Sequence, residues 1–123
     1  MMNFDDLYNI ACENAKEIKL TNKSSYGKVA TAVLTKDGNI YIGTCFKTTC
    51  NVGFCAEESA IAQMLKNNET EISKMVAVYD GGEIISPCGK CREQIYQLNP
   101  NNLKCEILLK DRITTLEELL PEL

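Results

Sequence analysis

Cys55-Ala56-Glu57 and Pro87-Cys88-Gly89-Lys90-Cys91 constrain this chain more than any other stretch. The sequence contains no histidine, so a zinc site must be assembled from cysteine and carboxylate side chains. Cys88 and Cys91 stand three apart, which on the first turn of a helix turns both thiols to one side. Cys55 opens a second segment of helical periodicity. One ion held by Cys55, Cys88 and Cys91 therefore requires the starts of two helices to meet. Helix starts carry partial positive charge and unpaired N–H groups, which favour the thiolates zinc needs. Three thiolates leave a tetrahedral ion one open position for water, and Glu57 stands two residues from the first of them, placed to handle that water's protons. Structural zinc knots and redox dithiols share the Cys-x-x-Cys spacing, and Cys45 or Cys50 could add a fourth sulfur from the preceding loop. The open arrangement, with one Zn²⁺ per chain, is the reading that gives Glu57 a use.

Around these motifs the pattern alternates between helix and strand. Phe4, Leu7, Tyr8, Ala11, Ala15 and Ile18 predict an amphipathic helix from about residue 3 to 20, capped by Asn3, with Thr21 to Ser25 as loop. Val29–Thr35 and Ile40–Gly43 flank Asp37-Gly38 and predict a β-hairpin, and Thr44 to Phe54 reads as loop. A helix carrying Ala60, Ile61, Met64 and Leu65 follows, then a strand over Met75–Tyr79 stopped by Asp80-Gly81-Gly82. Pro87 leads into a helix with Cys91, Ile95 and Leu98 on one face; Cys105–Leu109 predicts a strand, and Thr115-Leu116-Glu117-Glu118 caps a short last helix. The order predicts one α/β domain over residues 1–123, a three-layer α/β/α sandwich on a mixed sheet.

Composition narrows the partners. A net charge of −4, with no cluster of Lys and Arg, argues against a nucleic-acid partner and for a small uncharged or cationic substrate. No apolar run reaches the roughly 18 residues of a membrane span, and the N-terminus shows no basic or apolar export signal. Seven cysteines, an odd number without such a signal, fit a reducing cytoplasm with some thiols on metal and the rest free. Cys12 and Cys105 read as small core residues.

Cys-x-Glu followed by Pro-Cys-x-x-Cys is the zinc deaminase signature. With Arg92 after Cys91, the Asp37-Gly38 hairpin and Glu118-Leu119-Leu120-Pro121 near the end, the chain resembles the cytidine deaminase family along nearly its whole length. The resemblance implies a cytidine deaminase-like fold, Cys55, Cys88 and Cys91 on one Zn²⁺, and hydrolysis of a cytosine nucleoside to its uracil product and ammonia. Glu57 would take a proton from the attacking water, deliver it to ring N3 and later protonate the departing amine. The backbone at Ala56 and Ser86 would hold the pyrimidine, Arg92 would hydrogen-bond the thiolates, and the assembly would be a homotetramer.

Two positions depart from the family. Many cytidine deaminases carry Arg after the catalytic Glu, where this chain has Glu58; compensation must come from Arg92, Lys90 or the helix starts. The family's upstream Asn-x-Glu, which grips ribose, corresponds to Thr44 and Phe46 or, anchored on Gly43, to Cys45 and Lys47. Neither register offers a carboxylate. Val29-Ala30-Thr31-Ala32 and the Ile84-to-Cys88 entry resemble blasticidin S deaminase, which acts on a cytosine nucleoside antibiotic. Blasticidin S, another amino-heterocycle such as guanine, or a catalytically silent zinc scaffold are the alternatives.

Overall fold

The computed structural model describes residues 2–122. Helix α1 runs Phe4–Asn14, its start capped by the Asn3 side chain, which accepts from the Asp6 N–H at 2.9 Å. It ends well short of the sequence expectation. The chain turns instead into a four-residue strand, β1 (Ile18–Thr21), paired antiparallel with the start of β2 (Ser24–Thr35). Ala15 is buried as expected, but Ile18, expected on the helix face, is 47% exposed. The Glu17 N–H donates to Asp80 at 2.9 Å and the Glu17 carboxylate accepts from Ser25 at 2.9 Å, so side chains across the turn draw this backbone out of the helix.

The hairpin at Asp37-Gly38 forms as predicted, joining β2 to β3 (Ile40–Thr48). β3 is longer than its pattern indicated and runs through much of the expected loop before a 3₁₀ turn at Thr49–Asn51. Helix α2 (Ala56–Lys66), strand β4 (Ile72–Tyr79), a two-residue strand β5 (Ile84–Ile85) and helix α3 (Gly89–Leu98) follow. After a 3₁₀ turn come β6 (Glu106–Leu108), β7 (Ile113–Thr115) and α4 (Leu116–Leu119), with Thr115 capping α4 as expected.

β2 pairs with β3 along one edge, while β1 and β4 share its other edge; β4 in turn carries β5 antiparallel and β6 parallel. With β7 beyond β6, the sheet is mixed. Alternation along β2 and β4 supplies both faces. Ala30, Ala32, Leu34, Val76 and Val78 meet α1 through Phe4, Leu7 and Ala11. Val33 and Met75 turn the other way and, with Ile107, meet Ala60 and Met64 of α2, Ile95 of α3 and Leu116 of α4. Helices on both faces make the three-layer α/β/α sandwich. Two buried polar groups are fully employed: Thr31 donates to the Val76 carbonyl, and Asn102 accepts from Ile72 N–H while donating to the carbonyls of Thr70 and Ile95.

One close approach fixes the functional region. A Cβ at Gly43 would fall 2.1 Å from the Ala56 carbonyl oxygen, so glycine lets the first turn of α2 lie directly on β3.

Candidate active site

Cys55 and Cys88 are the N-cap residues of α2 and α3, and Cys91 lies on the first turn of α3. Pro87 therefore stands just outside the helix, in a buried position that fixes the approach to Cys88. The two helix starts meet as the spacing required. The three sulfurs lie within 4.8 Å of one another, with Cys88 and Cys91 at 3.4 Å. Cys91 is fully buried, Cys55 half-buried and Cys88 exposed to the opening.

The thiols do not follow the helix-terminus expectation uniformly. Burial pushes Cys55 and Cys91 upward, and the nearby Glu57 charge adds to the rise at Cys91. Desolvation opposes ionisation of Cys88 too, but the Cys91 backbone N–H and the adjacent thiols outweigh it and draw Cys88 down. Low dielectric and crowding thus beat the helix termini at two of three sulfurs. This is a donor set that one divalent cation relieves by accepting all three as thiolates, and three soft sulfurs with a nearby carboxylate suit zinc.

Glu57 is 4% exposed on the first turn of α2 and forms part of the wall of a cleft of about 410 Å³. Burial pushes its carboxyl above the ordinary carboxylate range. Cys55, Cys88, Ala56 and Ser86 line the same cleft. A larger groove, about 610 Å³, runs along the outer side of α2 and α3 but holds neither Glu57 nor any of the three thiols. The smaller cleft is the chemically equipped one.

Arg92 does not take the position expected of it. Its guanidinium donates to the Pro87 carbonyl at 2.7 Å, to Ser86 Oγ at 2.8 Å and to the Leu119 carbonyl at 3.2 Å. A planar fork spread over three oxygens leaves it tying the Ser86-Pro87 entry to α4, with no hydrogen bond to a thiol. Glu58 reaches back to the Cys55 N–H at 3.0 Å, completing a capping box, and pairs with Lys90 and Gln94 of α3 at 3.0 and 3.1 Å. The Cys55 N–H, with Gln94 and Lys90, holds its carboxyl down to about 2. The cation nearest the Glu58 position is therefore Lys90, bound through Glu58.

The upstream strand settles which alternative faces the cleft. Cys45 and Lys47 line it, and Thr44 and Phe46 do not. Cys45 is buried, its sulfur accepting from the Val29 N–H at 3.3 Å, while Cys50 is exposed in the 3₁₀ turn. Phe54 lines the cleft and packs on Phe46 with ring centroids 5.6 Å apart. Sequence reasoning missed Lys28, Val29, Tyr79 and Ile85, which complete the wall. For Lys28 and Val29 the cause is a bulge: Tyr26 pairs with Phe46 and Ala30 with Thr44, leaving Gly27, Lys28 and Val29 opposite Cys45 alone. Cys105 is buried, its thiol pushed up to about 12 by desolvation, and Cys12 is half-buried against the other core cluster, as expected of both.

Comparison with known proteins agrees with this geometry. Residues 2–107 match the cytidine and deoxycytidylate deaminase zinc-binding region. A blasticidin-S deaminase from Bacillus cereus is 31% identical over 94% of this chain and 88% of its own length. The fold matches a cytidine deaminase from Mycobacterium leprae with a TM-score of 0.81 at 23% identity, covering 99% of this chain and 100% of that one. A cytidine deaminase from Burkholderia pseudomallei gives 0.78 at 24% identity over 98% of each chain. Among the described residues no helix is long and apolar enough to cross a membrane. A zinc-compatible sulfur cluster with a buried carboxylate beside it, on this fold and with this family match, means that the chain belongs to the cytidine and deoxycytidylate deaminase family of zinc-dependent hydrolytic deaminases.

Proposed function

We propose that this chain deaminates a cytosine nucleoside or a close analogue of one, with Cys55, Cys88 and Cys91 holding one Zn²⁺ and Glu57 carrying the protons. The observation behind this reading is the placement of Glu57, buried in the same cleft wall as Cys55 and Cys88. Zinc, when bound there, supplies the Lewis acidity that makes water a nucleophile near neutral pH.

The remaining work falls to the protein. Glu57 accepts the first proton of water as its oxygen bonds to C4, and passes that proton to ring N3. It then carries the second proton to the exocyclic amine, the C4–N bond breaks, and ammonia leaves with C4 as a carbonyl. A carboxyl walled off from solvent in the same cleft wall as the sulfurs is placed for both steps, because the proton it accepts is the one it returns. Ala56 and Ser86 border the cleft on the two helix entries, where their backbone groups hold the pyrimidine edge, and Arg92 fixes the Ser86 side through its bonds to Ser86 and Pro87. Phe54 and Tyr79 supply apolar walls.

The relatives are named for two substrates, cytidine and blasticidin S. Measuring ammonia release from cytidine, deoxycytidine, cytosine, blasticidin S and guanine tests the reading. Turnover confined to cytosine compounds supports it; turnover of guanine alone contradicts it. We further propose a homotetramer in the cytoplasm, acting on small molecules rather than nucleic acid.

A further inference from the structure

The cleft wall built by the β2 bulge carries a charge pattern that the reaction itself does not use. In a regular strand Lys28 and Val29 would point to opposite faces. Because three residues of β2 stand opposite Cys45, both line the cleft. The bulge is held by specific features: Gly27 at φ +84°, lying against the Lys16 carbonyl, and the bond from the Val29 N–H to the Cys45 sulfur. Lys47 lies two residues beyond Cys45 on the neighbouring strand and lines the same cleft. Two lysines on adjacent strands thus border one space, Lys47 from an edge where it also borders two neighbouring grooves, one of them lined by Glu17.

Neither Lys28 nor Lys47 is in an ion pair among the described residues. The ion pairs among the described residues engage Lys36, Lys74, Lys90, Lys110 and Arg112. Glu57, beside the sulfurs, is the only acid among the residues that line the cleft. Two unpaired cations in one concave space repel each other and raise the local concentration of anions. Lysine at the strand position where the resemblance would place a ribose-gripping carboxylate also reverses the charge offered to the sugar. A neutral sugar gains little from an ammonium that a carboxylate could not give, whereas a carboxylate or phosphate gains a charge-assisted hydrogen bond.

We propose that the substrate is a cytosine-type compound whose sugar end carries an anionic group, carboxylate or phosphate, held between Lys28 and Lys47. The ring lies toward Glu57 and the sulfurs, and the anion lies on the β2–β3 side. This rests on the cytosine reading above, and adds the charge of the substrate to it. The local charge of the cleft points the other way from the net charge of −4, from which an uncharged or cationic substrate is expected.

The experiment compares kcat/KM of the zinc-loaded protein for cytidine, for cytidine 5′-monophosphate and for cytidine-5′-carboxylic acid, three compounds that share the cytosine ring and differ in the charge at the sugar end. The same series is run with Lys28→Ala, Lys47→Ala and Lys47→Arg, each checked for one zinc per chain. The expected result is a preference of at least about 10-fold for one anionic compound over cytidine, carried mainly by KM. That preference falls about 10-fold in each alanine variant, is retained in Lys47→Arg, and weakens as salt is raised. Preference for the phosphate over the carboxylate, or the reverse, identifies the anion. Cytidine turned over as well as both anionic compounds, or a preference unmoved by Lys28→Ala and Lys47→Ala, overturns this inference alone. Silence toward every cytosine compound overturns the proposed function and this inference with it.

Discussion

Glu58 and Lys90 form a 3.0 Å ion pair that joins the first turn of α2 to the first turn of α3. The same carboxylate accepts from the Cys55 N–H, so one side chain caps the helix that presents Cys55 and fastens it to the helix that presents Cys88 and Cys91. An isolated surface ion pair contributes little, but this one is joined to a backbone cap and to Gln94. Its consequence is position: the pair links the two helix starts that carry the three sulfurs.

Glu58→Ala is therefore expected to weaken zinc binding by about 10-fold or more, the range seen when groups that orient metal ligands are removed. Competition with a coloured chelator measures it. Lys90→Ala, which leaves the Cys55 cap intact, gives a smaller loss. Equal affinity in wild type and Glu58→Ala would show that the sulfurs are placed without the clamp.

Gly27 is the hinge of the bulge. A Cβ there would lie 2.2 Å from the Lys16 carbonyl oxygen, at a φ of +84° that L side chains rarely adopt. Gly27→Ala is expected to cost at least about 2 kcal/mol in denaturant unfolding. A change below about 0.5 kcal/mol would mean that the bulge relaxes freely.

Much of the architecture was legible because it is written in local periodicity. The β2–β3 hairpin, α2, β4 and α3 each carry an apolar pattern long enough to read, the capping box from Thr115 to Glu118 marks α4, and Pro87 marks the entry to α3. The failures share a cause. Ala15 and Ile18 continued the α1 stripe by coincidence of spacing, while the alternation of Glu17-Ile18-Lys19-Leu20-Thr21 marked the strand that forms. β5 and β7 span two and three residues, too short for any pattern, and exist through pairing with β4 and β6. The cleft wall at Lys28 and Val29 depends on a bulge, which alternation cannot reveal. The bonds of Arg92 depend on where α4 lands.

Glu69 offers a test of folding electrostatics away from the metal. Thr35 donates to it at 2.6 Å, Tyr41 also donates, and Asn39 donates at 3.0 Å, fastening the β2–β3 hairpin to the loop after α2. These donors, Thr35 foremost, hold its carboxyl below the usual range. Lower in the folded state means that the stabilisation is present above the unfolded value of about 4.3 and is lost as pH falls through the folded value. Glu69→Gln is expected to lower Tm at pH 7 by several degrees, with the gap to wild type closing as pH drops below about 4. A gap of constant size from pH 7 to 3 would contradict this.

The most direct measurement is ammonia release by Glu57→Gln, prepared with zinc and compared with wild type on the best cytosine substrate. Removing the proton carrier while leaving the sulfurs untouched is expected to preserve one zinc per chain and the unfolding transition. The variant's kcat is expected to fall by at least about 100-fold. A Glu57→Gln protein that binds zinc, folds and turns over at the wild-type rate would contradict the assignment of Glu57 as the group that moves the protons.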